Sequence, residues 1–364
     1  MGARVAFVQE VLPQYRVEFF SGLRCRLAAS DVRLDLYYGA ADRSFAQRGD
    51  QAELDWAVRV ETLRLGPLVH QDLPRDVSTA DLVIVPHANR LTGTYALLAR
   101  RRFTSRPSVA MFGHGGNQAA RSRSLAERWK RRQLNGVDWY FAYTDGAAAR
   151  VTASGFPTDR TTVVNNSCGT PPFTPASRVP HRAAYVGALE PVKAIDFLVA
   201  AADDARRMLP DFELVVIGGG TQAATVRAAA QSRAWLTVHP PTFGSSKLEA
   251  LSSASLIMNP GMVGLVVIDS FASETPIVTR ASQGHSPEYE YLDRETALIS
   301  PADVSVSGYA ETVTRLMDAS DRLEAMRHSC RAAAARFTLD AMITRFAAGI
   351  LEALERGGGR RNSL

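Results

Sequence analysis

Between residues 256 and 292 lie residue types whose order could hold a phosphate and a ribose. The run LIMNPGMVGLVVIDSFASETPIVTRASQGHSPEYEYL sets Pro260, Gly261 and Gly264 between an apolar triplet (Leu256, Ile257, Met258) and an apolar segment of helical length. A glycine-bearing turn at a helix start presents unpaired backbone N–H groups at the positive end of the helix dipole, which favours an anion. One acid, Asp269, follows within that segment, where its carboxylate could accept ribose hydroxyls. A short strand at 275–279 then leads to the polar turn His285-Ser286-Pro287-Glu288. An ordinary βαβ unit also needs glycine in its turns, so the pattern alone leaves both readings open.

Such a turn needs a parallel sheet behind it, and the chain supplies two sets of strands. Apolar runs at 4–8, 32–38, 81–86, 108–112, 139–143 and 161–164 alternate with helical patterns. One of these places Phe19, Phe20, Leu23 and Leu27 on one face. Others cover 91–101, a basic stretch at 122–134, and 145–154 before Gly155. Residues 42–72 are polar and irregular, with short apolar runs that suit small strands. After a proline-bearing stretch the alternation restarts, with strands at 182–186, 212–217 and 235–239 and helices at 195–208, 221–231 and 246–253. An Ala/Arg-rich helical region follows at 310–346, broken near Thr338. Alternation of this kind means α/β architecture with helices on both faces of a parallel sheet. The expected organisation is two Rossmann-like, doubly wound domains, 1–168 and 182–335, joined by a linker at 169–181. Their strand ends would face across a deep cleft, where ligands of such sheets bind. A helix at 336–356 is expected to cross back to the first domain, and 357–364 to be a disordered tail.

Composition narrows the class. The chain has 364 residues, 46% hydrophobic and 22% charged, an ordinary globular balance. No apolar run reaches the roughly 18–20 residues of a membrane span, and the N-terminus goes straight into a strand-like run without a signal-peptide pattern. Cys25, Cys168 and Cys330 are odd in number and scattered, which suggests neither a disulfide framework nor zinc. A cytoplasmic location is expected. The net charge of +5 gathers at 100–102 and within 121–132. The second cluster could meet an anionic membrane surface or form a plain solvated helix face. Nucleic acid is disfavoured, since no aromatic residues interleave a basic strand.

Four motifs in order make the chain resemble the retaining GT-B glycosyltransferases of family 4, the group 1 glycosyltransferases. Val186-Gly187-Ala188-Leu189-Glu190-Pro191-Val192-Lys193-Ala194-Ile195-Asp196 looks like "VGRL…KGID", and Leu214 to Gly220 like "L-V-I-V-G-x-G". Pro260 to Pro276 looks like "P…GFGL…LEAMA-x-G-x-P". Phe112 to Gln118 and Val164-Asn165-Asn166 resemble the "GHG-x-N" and "V-x-N-N" of relatives that build bacterial surface polysaccharides. Three departures stand out. The family's paired glutamates become Gly261 and Asp269, its arginine beside the diphosphate becomes Ala188, and "NG-x-D" becomes Asn166-Ser167-Cys168-Gly169.

The resemblance implies transfer of a sugar from a nucleoside-diphosphate sugar to a hydroxyl acceptor, with retention and same-face attack. It implies no cofactor beyond that co-substrate. No metal is expected either, as no Asp-x-Asp pair or histidine cluster offers a site. Lys193 would stabilise the leaving diphosphate together with the backbone at Gly264 and Leu265, in a turn that also includes Gly261, Met262 and Val263. Asp269 would take the ribose. Gly187, Gly218 and Gly219 would let the backbone approach the nucleotide, and Pro240, Pro241 and Thr242 would frame the base. His285 and Glu288 resemble a donor-side "H-x-P-E" loop. His114 would bond the transferred sugar, with Arg16 and Asn117 on the acceptor side. A nucleotide-sugar epimerase or hydrolase of the same fold, or a non-catalytic nucleotide-sugar-binding protein, remain alternative readings.

Overall fold

A computed structural model describes residues 2–101, 103–104, 106–116, 131–282 and 284–359. The chain divides into two compact units. One holds the residues up to Asp42, Gln51–Asn166 and the stretch from Leu339 on; the other holds Arg43–Asp50 and Ser167–Thr338. Asn117 and residues 121–130 of the basic cluster lie outside the described residues.

The first unit is built on a seven-stranded parallel sheet. Its strands are β1 (Ala3–Gln9), β2 (Val32–Gly39), β3 (Val58–Val60), β6 (Leu82–Pro86), β7 (Ser108–Gly113), β8 (Trp139–Ala142) and β9 (Thr161–Val163), in the order β3-β2-β1-β6-β7-β8-β9. β1 lies inside the sheet because Val5, Ala6, Phe7 and Val8 are apolar on both faces and all buried. The 42–72 region contributes β3, the helix Arg43–Arg48 and an antiparallel hairpin of β4 (Thr62–Leu65) and β5 (Leu68–Gln71).

Phe7, Phe19, Phe20, Phe112 and Phe141 form the core on one face, and Phe346 of the helix Leu339–Gly359 completes it. The Phe346 ring stacks on Phe141 with centroids 4.1 Å apart. Burying a side chain of this size contributes about 1.5–3 kcal/mol. Gly349 allows the close approach, since a Cβ there would lie 2.5 Å from Thr162 Oγ1. The helix continues through Gly359, so the tail expected from residue 357 is helical as far as the structure describes it. Gly357 lies close to Ser108, its would-be Cβ 2.8 Å from the hydroxyl oxygen, which suits the last turn to packing on β7.

The second unit carries a six-stranded parallel sheet in the order β12-β11-β10-β13-β14-β15. The strands are β10 (Arg182–Val186), β11 (Glu213–Ile217), β12 (Leu236–His239), β13 (Leu256–Met258), β14 (Ile277–Arg280) and β15 (Ala297–Ser300). β10 lies between β11 and β13, so the sheet order reverses there and crossovers leave on both faces. The Ala/Arg-rich region has one more break than the sequence suggests: Val306–Asp318 and Ser320–Ala334 are separate helices, because Ala319 leaves helical geometry (φ −91°, ψ 69°). The end of the linker is tied down by Arg178, whose guanidinium donates to the carbonyls of Ala254, Ser273 and Glu274. Among the described residues, no helix is long and apolar enough to cross a membrane.

Candidate functional site

The loop after β10 is shaped by glycine. Gly187 adopts φ +145°, and a Cβ on Gly218 would fall 2.0 Å from the Gly187 carbonyl oxygen, so the loops after β10 and β11 touch backbone to backbone. Leu189 N–H donates to the Gly219 carbonyl at 2.8 Å and the Tyr185 hydroxyl to the Ala188 carbonyl at 2.8 Å, fixing the path to Glu190. A single turn, Pro191–Lys193, then ends at Ala194 in the left-handed region (φ 54°, ψ 48°) before the helix Ile195–Met208. A Cβ is strained there. Ala194→Gly is therefore expected to raise stability by somewhat under about 1 kcal/mol, after the added freedom of the unfolded chain is subtracted. A thermal melt checks this; an unchanged or lower midpoint would show that the turn carries no strain.

Lys193 turns its amine inward and donates to the Met262 carbonyl at 2.6 Å. Burial lowers its pKa to about 8, opposed by the nearby Glu288 carboxylate and reinforced by the Arg48 charge. The 259–265 turn is held from several sides. Asn259 N–H donates to the Val278 carbonyl, Arg280 Nε to the Pro260 carbonyl at 2.8 Å, and Met262 N–H to the Val192 carbonyl at 3.0 Å. A Cβ on Gly261 would lie 2.1 Å from the Lys193 carbonyl carbon. Glycine here is a steric requirement of two backbones in contact, which is why no acid occupies this position.

His285 departs from its expected role as a donor ligand. It is buried, with Nδ1 accepting the Val263 N–H at 2.9 Å and Nε2 2.7 Å from the Arg280 carbonyl. That pairing assigns the proton to Nε2. Burial, and then the nearby Lys193 and Arg280 charges, depress the imidazole pKa against the Arg280 bond, which favours the protonated ring. Its ring stacks on Tyr289 at 4.1 Å. His285 therefore positions the glycine turn. The N–H groups of Met262 and Val263 are likewise spent inside the chain, on the Val192 carbonyl and His285 Nδ1. Among the described residues, the N–H groups of Gly264, Leu265 and Val266, at the start of the helix Val266–Ala272, have no partner.

Asp269 lies on that helix and is 5% exposed. It has an internal partner that the sequence reading did not find: Lys247 Nζ, from the helix Gly244–Ser252, is 2.6 Å from its Oδ1. A free acceptor was expected and an ion pair is present. Glu288 is buried on the turn Pro287–Tyr291 beside Lys193. Gly219 and Pro241 touch the Arg43–Asp50 segment rather than open space, and Thr242 turns its hydroxyl to the Pro240 carbonyl at 3.0 Å. Glu190, Arg48 and Lys247 are charged groups here that sequence reasoning passed over. Glu190 stands within the quoted loop motif, whereas the other two carry no local signal.

The remaining candidates belong to the first unit. His114 follows β7, with its ring edge-on to Tyr143. The turn beyond it is pinned by Tyr140, whose hydroxyl accepts the Gly115 N–H at 3.0 Å and lies 2.9 Å from His87 Nδ1. Burial raises the Tyr140 pKa, so this hydroxyl stays protonated. Arg16, expected on the acceptor side, is only 4% exposed. It donates to Asn166 Oδ1 at 2.6 Å and lies over Tyr15, Phe19, Phe112 and Tyr143, so it is a packing anchor. The 730 Å³ cavity of this unit, lined by Tyr95, Arg101, Gln133, Asp138 and Arg160 among others, includes none of the expected site residues.

Comparison with known proteins adds the class. The fold over nearly the whole chain is shared with solved glycosyltransferases. The pneumococcal O-GlcNAc transferase GtfA in complex with UDP and GlcNAc superposes with TM-score 0.71 at 11% identity, over 97% of this chain and 99% of that one. The sucrose-phosphate synthase of Thermosynechococcus elongatus gives 0.69 at 15%, over 97% and 100%. The lipopolysaccharide outer core galactosyltransferase WaaB in its apo form gives 0.66 at 11%, over 96% and 99%. At these identities the likeness is one of fold, and the fold is GT-B. No curated protein matches the sequence. The second unit is more specific: residues 180–319 match the family of group 1 glycosyl transferases. The family match thus covers the second unit, and the shared GT-B fold nearly the whole chain.

Proposed function

We propose that the chain transfers a sugar, with retention, from a nucleoside-diphosphate sugar to a hydroxyl acceptor, and that Lys193 and the turn at Gly264 receive the leaving diphosphate. One observation carries this reading. The Lys193 amine is fixed on the Met262 carbonyl, two residues before three unpartnered N–H groups, so a fixed cation and a helix start meet at one turn. Donors held in place stabilise developing negative charge without having to reorganise. Breaking the glycosyl–phosphate bond places that charge on the diphosphate. The acceptor hydroxyl attacks from the same face and passes its proton to the leaving phosphate. Asp269, oriented by Lys247, meets the ribose, and His114 the transferred sugar. No divalent ion is needed for this scheme, because the lysine and the backbone supply the positive charge.

Uracil is the first donor base to test, since GtfA was solved with UDP and GlcNAc. The experiment is release of nucleoside diphosphate from UDP-, GDP- and dTDP-sugars, with and without a hydroxyl acceptor. Release that requires the acceptor supports transfer. Release without acceptor would make the chain a hydrolase, interconversion of donor sugars an epimerase, and binding without turnover a nucleotide-sugar-binding protein.

A further inference from the structure

The Arg43–Asp50 segment interrupts the first unit in sequence yet belongs to the second. Its helix Arg43–Arg48 ends against the Gly218–Gly220 turn. A Cβ on Gly219 would meet the Arg48 carbonyl oxygen at 2.9 Å, the Pro241 ring at 2.9 Å and the Gln47 carbonyl oxygen at 3.1 Å. Gly49, at φ +68°, takes the chain past the same proline. This contact brings the Arg48 side chain to the loop that carries Glu190 and Lys193.

There the guanidinium is poorly used. Arg48 Nε stands 3.7 Å from Glu190 Oε1, beyond hydrogen-bond length, and is buried with no hydrogen-bond partner among the described residues. Phe45 lies under its plane at 5.4 Å, and the side chain keeps 38% of its surface exposed. Glu190 is committed elsewhere, accepting the Thr221 hydroxyl at 2.6 Å on its other oxygen. The Arg48 charge also reaches Lys193, helping to hold its amine below the ordinary lysine range after burial has lowered it. A loosely paired guanidinium whose charge reaches a second, fixed cation gains most from an anion carrying two charges, and it binds phosphate through paired N–H donors. Ala188, in the same loop, supplies no charge.

We propose that Arg48 is a second diphosphate-binding residue of the donor site, acting beside Lys193 and exchanging its loose contact with Glu190 for a phosphate. This rests on the donor reading above and goes beyond it, because the cation comes from a segment far from the matched family region. It is tested by calorimetric titration of UDP, GDP and dTDP into the wild type to find the tightest diphosphate. That diphosphate is then titrated into Arg48→Ala, Arg48→Lys and Lys193→Ala, with the corresponding nucleoside measured by ligand-observed NMR. Arg48→Ala should weaken the diphosphate about 10- to 100-fold, as loss of a charge-assisted contact does, and leave the nucleoside within about twofold. Arg48→Lys should fall between. Unchanged diphosphate affinity in Arg48→Ala, with Lys193→Ala impaired, overturns the assignment and leaves the donor reading standing. Equal losses for nucleoside and diphosphate would reduce Arg48 to packing, which overturns it as well. Failure of the wild type to bind any of the three diphosphates would remove the donor reading and this inference together.

Discussion

Lys193→Ala is expected to cut kcat/KM for donor by at least about tenfold, the loss of one charge-assisted phosphate contact, while the protein folds as well as before or better. The second half follows from the sign of the shift. Lys193 is a base whose folded pKa, about 8, lies below its usual 10.5, so the folded state disfavours the charged form. The penalty on folding is complete below about pH 8 and is relieved as pH rises toward the unfolded value. Removing the amine at neutral pH removes that cost, against the lost bond to the Met262 carbonyl, and the melts separate lost turnover from unfolding. In the wild type, kcat/KM should fall as pH rises through about 8, where the free enzyme loses the cation. Steady-state kinetics between pH 6 and 9.5, with thermal melts of both proteins, measure all of this. Unchanged turnover in Lys193→Ala would remove the residue from the mechanism.

Restoring an acid at position 261 is expected to fail. In Gly261→Glu, and already in Gly261→Ala, the new Cβ would overlap the Lys193 backbone, at 2.1 Å from its carbonyl carbon and 2.2 Å from its oxygen. Neither neighbour is the free end of a side chain, so the Pro191–Lys193 turn must move. A loss of about 3 kcal/mol or more is the expected scale, at the upper end of overpacking, together with loss of donor binding. Gly264→Ala is the internal control, because its Cβ would meet the Ser286 side chain at ordinary contact, 3.5 Å from Oγ and 3.8 Å from Cβ. Denaturant melts compare the three. A Gly261→Ala protein as stable as Gly264→Ala would contradict the close approach.

These two positions also mark how far residue types alone lead. Lys193 and the glycines at 261 and 264 were legible because chain neighbours carry their signal. A strand's apolar run, a turn and a helix start are local, and most strands follow from them with boundaries shifted by a residue or two, whereas the edge strand β15 was not read. What was not legible depends on partners far along the chain. His285 suggests a ligand until both ring nitrogens are found on the Val263 N–H and the Arg280 carbonyl. Asp269 suggests a free acceptor until Lys247, on another helix, is found against it. Arg16 suggests an exposed cation until the rings around it and Asn166 are counted. The Arg43–Asp50 segment left the least trace. It is short and polar, and only the backbone approach at Gly219 brings it to the second unit.

The place of Phe346 bears on the order in which the protein forms during synthesis. Domains usually close in the sequence in which they leave the ribosome, amino end first. Here the aromatic core beneath β1 lacks its central ring until the helix Leu339–Gly359 has emerged, after the whole of the second unit. The second unit has all of its residues by Thr338. The half that is made first must therefore wait, its apolar face open, and the half that is made later can finish before it.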